Sequence, residues 1–172
     1  MAEGVVLRRL SAPDLRAFKA LRDRMLERYP EAFTSDIDTE RGRRADDYLP
    51  RLGLDRADGG HLVLGAWRQS ELQGAIGLER DRRDKVRHIG HVIGMMVTPE
   101  AQGHGIGRAL LEAVTAEARA AGLELLTLSV TEGNTVALRL YERAGFERYG
   151  TLPKALRIGD RYHAKVHMAL AL

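Results

Sequence analysis

Gly103, Gly105 and Gly107 fall on alternate residues between an apolar run and an amphipathic one, an arrangement suited to holding a phosphate or pyrophosphate. Ahead of them, residues 88–97 (HIGHVIGMMV) are apolar and β-branched enough for a mostly buried strand, which Thr98 and Pro99 end by turn chemistry. After them, Ile106, Leu110, Ala113 and Val114 recur at helical spacing and make one apolar face. A turn without side chains on alternate residues can bring several N–H groups close to a ligand. The first turn of a helix adds unpaired N–H groups and a partial positive charge.

Two familiar phosphate motifs do not fit. A P-loop needs Lys and then Ser or Thr after its last glycine, and here Arg108 and Ala109 follow Gly107. A dinucleotide fingerprint needs glycine at the sixth place of GxGxxG, where Arg108 stands. A plain strand-to-helix connection, with glycines that only permit tight packing, remains a rival. However, residues 102–107 (QGHGIG) also fit Q/R-x-x-G-x-G/A, and this stretch resembles the acetyl-coenzyme A binding motif of the GNAT superfamily of N-acetyltransferases. Residues 134–146 (NTVALRLYERAGF) resemble that family's later helix motif, N-x-x-A-x-x-L-Y-x-x-x-G-F, at every fixed place. Two motifs in the right order are more specific than either alone, and together they cover roughly the second half of the chain.

The resemblance implies acetyl transfer from acetyl-coenzyme A, as co-substrate, directly to a primary amine of a small molecule or a peptide. The backbone of Met96 and Val97 would contact the pantetheine, and Gln102, Gly103, His104, Gly105, Ile106, Gly107 and Arg108 would cradle the pyrophosphate. Asn134 would both cap its helix and touch the pantetheine. His104 would take part through its backbone, with its side chain toward solvent. Tyr141 occupies the place of the phenol that commonly acts as general acid to the coenzyme's sulfur; the rival reading is a tyrosine that only packs. In histone-type members a glutamate eleven residues ahead of the motif's first residue deprotonates the amine, and that place here is His91. Histidine titrates near pH ~6.5 and can accept a proton near neutrality. His91 is a polar member of an otherwise apolar row with Ile89, Ile93 and Met95. His88, Glu79 and Glu132 are rival bases, and a structural histidine is the plain alternative. Another reading keeps the fold without turnover, as a catalytically silent coenzyme A sensor or interaction module.

The elements that must position these groups follow from periodicity and turn residues. A strand is predicted at residues 4–10. A helix follows to about Arg28, with Ser11 as cap, Pro13 in its first turn, and Leu15, Phe18, Leu21, Arg22, Met25 and Leu26 on one face. Residues 29–33 (YPEAF) break that pattern, and a P-x-A-F turn recurs in a sub-group of small GNAT proteins that this segment resembles. Tyr29 and Glu31 stand where they could meet an amine; the plain alternative is that Phe33 and Tyr29 simply anchor the helix turn. A polar helix is expected over 38–52, a loop at Asp58, Gly59 and Gly60, and antiparallel strands over 61–68 and 72–80. The glycine turn opens a helix to about Ala121, and residues 123–130 make a strand parallel to the one before it. A helix over 135–144 and a hairpin of strands 146–157 and 161–170 close the chain. This order matches the GNAT fold: an α/β (α+β) architecture with a mixed, mostly antiparallel sheet of about seven strands. A splayed parallel pair lies at its centre, and about four helices flank it.

At 172 residues the chain suits one domain, 1–172. Hydrophobic residues at 44% and charged residues at 30% are ordinary for a soluble globular protein. No apolar run of membrane-spanning length and no secretory leader pattern occur, so a cytoplasmic protein without membrane contact is expected. There is no cysteine, which removes disulfides, thiolate metal sites and an acyl-cysteine intermediate. No spacing of His with Asp or Glu suggests a metal. The net charge of +3 is small. The basic clusters Arg41, Arg43, Arg44 and Arg80, Arg82, Arg83, Lys85, Arg87 lack interleaved aromatics, so nucleic acid is not expected as a partner. By analogy with the family, a homodimer is expected.

Overall fold

Strand β3 (Glu71–Arg80) carries leucine, isoleucine, alanine and glycine with no charge between Glu71 and Glu79, the composition of a strand covered on both faces. The computed structural model describes residues 4–54 and 60–172. The other strands are β1 (Val5–Arg9), β2 (His61–Arg68), β4 (Ile89–Val97), β5 (Leu125–Thr131), β6 (Glu147–Ile158) and β7 (Arg161–Ala171). They form one sheet in the order β1-β2-β3-β4-β5-β7-β6. Neighbours are antiparallel except β4 and β5, which are parallel across a helical crossover. The loop expected at Asp58 and Gly59 lies outside the described residues.

Helix α1 (Leu15–Arg28) buries Leu15, Phe18, Leu21, Met25 and Leu26 at spacings of three and four. Most of these join Val63, Trp67, Ala75 and Met96 on one side of the sheet. Helix α3 (Ile106–Ala120) buries Ile106, Leu110, Leu111 and Val114 against Leu64, Ile76, Leu78 and Leu126 on the other. Each such buried side chain contributes roughly 1.5–3 kcal/mol, so both helices are held chiefly by tertiary packing.

The start of α1 is pinned by Asp14. Its buried carboxylate takes both Arg8 guanidinium nitrogens at 2.7 Å, and the amide and hydroxyl of Ser11 at 2.8 and 2.9 Å. The Arg8 hydrogen bonds hold its pKa down at about 2, against the opposing effect of burial. A depressed carboxylate contributes stability that is present above its unfolded pKa and lost as pH falls through its folded one. Acid titration of unfolding free energy is therefore expected to show a loss between pH ~4 and ~2 that Asp14→Asn abolishes. An unchanged acid limb in the variant would refute this assignment.

Two expectations need correction. The helix predicted over 38–52 is in three pieces: α2 (Ile37–Arg41) and single 3-10 turns at Ala45–Tyr48 and Pro50–Leu52. Gly42 ends α2, and Pro50 supplies no N–H to continue a helix. The second correction concerns the face of β4. Ala75 pairs with Met96 but Gly77 with Ile93, so β4 carries one extra residue, a bulge at Gly94 and Met95. Gly94 takes φ +59° there. The bulge sends Met95 to the α3 side and brings Met96, in its place, onto the face of His91 and Ile93.

Pairing between β4 and β5 stops at His91 and Thr127, although β4 continues to Val97 and β5 to Thr131. Beyond that point the two strands part, leaving a wedge in the middle of the sheet.

Candidate active site

The glycine turn lies at the mouth of the wedge. Gly103 and Gly105 both adopt φ +78°, where a side chain is strained, and a Cβ added at either would meet no atom within 4 Å. Conformation, not crowding, is what these positions ask of glycine. Gly105 caps α3, and Ile106 anchors the first turn by burial to 1% exposure. The backbone N–H groups from Gly103 to Arg108 have no acceptor among the described residues, as a cradle for an anion requires. Gln102 ties the turn back, its Nε2 donating to the Val97 carbonyl at 3.2 Å and the Tyr29 hydroxyl at 3.3 Å. The exposed His104 ring turns back onto the Gln102 carbonyl at 2.9 Å. Arg108 is exposed and pairs with Glu112 at 2.7 Å, one helical turn on, so it is anchored beside the cradle.

Between β4, β5 and the segment after α1 lies a cavity of about 630 Å³, whose lining does not include the glycine turn. Ile93, Gly94 and Met95 line it from β4, Ser129 and Val130 from β5, and Asn134, Ala137 and Tyr141 from helix α4 (Thr135–Arg143) and its cap. Asn134 caps α4 by accepting from the Ala137 amide at 3.1 Å. Tyr141 is 6% exposed, packed edge-on against Phe146 with ring centroids 5.9 Å apart. Its hydroxyl has no hydrogen-bond partner among the described residues, and burial raises its pKa. Such a phenol keeps its proton at neutral pH and has it free to give.

The floor is the sheet. His61, Glu79, His91 and Thr127 are cross-strand neighbours in one row. His61 Nδ1 lies 3.4 Å from Glu79 Oε1, and His91 Nδ1 lies 2.6 Å from Thr127 Oγ1. Glu79 and His61 line the cavity, whereas His91 stands in the row just outside the lining. Of the rivals, His88 spends its carbonyl on the amides of Glu124 and Leu125, and neither it nor Glu132 lines the cavity.

The far wall was not foreseen. Arg22 and Glu40, each 3% exposed, pair at 2.9 Å, and Arg22 also donates to Ser35 at 2.8 Å. Tyr48 gives its hydroxyl to the same carboxylate, and its own pKa is pushed up to about 12 by burial and that bond. Burial opposes the charge on Glu40, but the Tyr48 and Arg22 bonds outweigh it and hold the pKa below its usual value. The 3-10 turn after α1 (Pro30–Ala32) and the residues that follow it close over the top: Thr131 donates to the Glu31 carbonyl at 2.6 Å and Lys165 to Thr34 at 2.7 Å. Ala32, Phe33 and Thr34 line the cavity, whereas Tyr29 and Glu31 do not. The basic clusters are largely paired with acids, as in Arg41 with Glu27 and Arg83 with Asp81. Among the described residues there is no group of metal-ligating side chains and no helix long and apolar enough to cross a membrane.

Comparison with known proteins agrees with this geometry. The acetyltransferase (GNAT) family profile matches residues 18–146. Mycothiol acetyltransferase of Geodermatophilus obscurus is 33% identical over 151 residues, which is 87% of this chain and 46% of that protein. The chain thus spans about half the length of the curated relatives it matches. A GNAT-family acetyltransferase of Streptococcus pneumoniae superimposes with a TM-score of 0.86 at 23% identity, covering 98% of this chain and 99% of its own. A ribosomal-protein-alanine N-acetyltransferase of Brucella melitensis does so with 0.80 at 26% identity, covering 97% and 99%.

Proposed function

This chain belongs to the acetyltransferase (GNAT) family, and from that premise we propose that it transfers the acetyl group of acetyl-coenzyme A directly to a primary amine seated in the cavity. The observation that carries this reading is the meeting, at one cavity, of the open wedge between β4 and β5 with the unpartnered hydroxyl of Tyr141. The free amides from Gly103 to Arg108 suit the donor's pyrophosphate, and the stretch of β4 through Met96 and Val97, paired with β3 but open on its β5 side, suits its pantetheine. Bound there, the coenzyme supplies the activated thioester. Holding thioester and amine together removes much of the entropic barrier to their encounter. Tyr141 gives its proton to the departing thiolate. The amine must lose a proton first, and the row on the sheet floor takes it: Glu79 reaches the cavity, with His91 beside it across β4.

The test is release of free thiol from acetyl-coenzyme A over a panel of amines, alongside calorimetric binding of the coenzyme. The shared name of the curated relatives makes a mycothiol-related amine the first acceptor to assay. Turnover with at least one amine is expected. Binding without turnover on any amine would favour the silent sensor, and absence of binding would overturn the whole reading. Glu79→Gln is expected to lower kcat/KM about a hundredfold near neutral pH, within the range for a general base. The deficit should shrink as pH rises and the amine deprotonates unaided. If His91→Ala loses more than Glu79→Gln, the base is the histidine.

A further inference from the structure

The far wall of the cavity carries more positive charge than its own acids neutralise. Glu40 serves two guanidinium groups, Arg22 at 2.9 Å and Arg43 at 3.4 Å. Arg51 lines the same wall and has no carboxylate within ion-pair distance among the described residues. Lys165 is the fourth cation; its ammonium rests on a neutral oxygen, Thr34 Oγ1 at 2.7 Å. Thr34 adjoins Ser35, which accepts from Arg22, so one segment ties Lys165 and the arginine cluster to the same cavity. Of the remaining lining acids, Asp47 accepts the Arg44 amide at 2.7 Å in its own turn, and Glu79 lies on the sheet floor beside His61. Desolvation, then repulsion from Arg22, lowers the pKa of Arg51 despite the attraction of Glu40, and desolvation lowers that of Lys165. Arg51 is exposed and Lys165 half-buried at the cavity, so both cations are open to a ligand there.

We propose that the acceptor is an amine that also carries an anion, in the simplest case a carboxylate as in an amino acid, and that Arg51 and Lys165 bind that anion. The inference rests on the acetyl-transfer reading for the role of the cavity. The two ends then have different duties: Glu79 draws the ammonium to the floor and the cationic wall fixes the anion, which orients the amine toward the wedge. A guanidinium offers a carboxylate two parallel N–H donors, and an ammonium adds a point charge, so both contacts are charge-assisted.

The experiment separates this from acetyl transfer itself by reading binding as well as turnover. N-acetylglycine, N-acetylmethionine and N-acetylphenylalanine, each beside its own carboxamide, are titrated calorimetrically into the protein with and without coenzyme A. The acids are expected to bind at least about tenfold tighter than the amides. Arg51→Gln and Lys165→Gln should each remove most of that preference, and thermal melting should confirm that both variants remain folded. In thiol release, kcat/KM for free amino acids should exceed that for their amides by a similar factor. Amides binding as well as acids, or a preference that survives both substitutions, would overturn the proposal. Loss of acetyl-coenzyme A binding would count against acetyl transfer alone, because the comparison of acids with amides without coenzyme still reads the anion site.

Discussion

Replacing Tyr141 by Phe is expected to lower kcat about a hundredfold, while the dissociation constant for acetyl-coenzyme A moves less than about twofold. The range for a positioned general acid is 10²–10⁴. The lower end applies because water entering through the wedge can still protonate the thiolate. The substitution is clean. The ring of Phe keeps the edge-on contact with Phe146, and the lost hydroxyl leaves no protein group without its partner among the described residues. Stability should therefore stay within about 0.5 kcal/mol. Since burial raises the phenol's pKa, Tyr141 remains protonated through neutral and mildly alkaline pH, and an alkaline fall in rate there would have another origin. Single-turnover thiol release with a saturating amine measures the effect. A Phe variant that keeps more than half of the wild-type rate would remove Tyr141 from the chemistry.

The largest expected effect on stability is at Glu40. Glu40→Ala leaves Arg22 buried without a counter-charge and Tyr48 without an acceptor. Breaking one side of a buried pair costs about 3–5 kcal/mol, because the remaining charge stays desolvated. For a chain of this size that corresponds to a fall in Tm on the order of 10 °C. The double variant Arg22→Met with Glu40→Leu should recover most of it, since apolar replacements of a buried pair are often neutral. Denaturant titration reads both. A single-variant loss below about 1 kcal/mol would mean that the network is wetter than its 3% exposures imply.

How far the sequence could be read depended on the range of the causes. α1 and α3 are legible because each is long and one-sided, so a single period carries the information. The glycine turn is legible because an unusual backbone needs an unusual residue, and the crossover through α3 fixes β4 and β5 as parallel. The segment after Asp36 misleads: its polar residues read as a solvated helix, whereas Glu40 is drawn inward by Arg22, eighteen residues away. Its local stops, Gly42 and Pro50, were in view all along. The bulge at Gly94 has no local signature beyond the glycine itself. The anion wall is assembled from Arg51 and Lys165, which no window along the chain brings together. Glu79 was in view only as one of several rivals to His91, because which side chain reaches the cavity depends on where the sheet parts.

The one-residue bulge in β4 also separates two halves of a single strand. Before it, Ile93 answers to whatever occupies the cavity; after it, Met96 and Val97 answer to the packing of α1 and α3. The extra residue absorbs the register between them, so a substitution that re-shapes the first half need not re-face the second. A strand built this way lets acceptor choice drift over generations while the grip on the acyl donor is inherited unchanged.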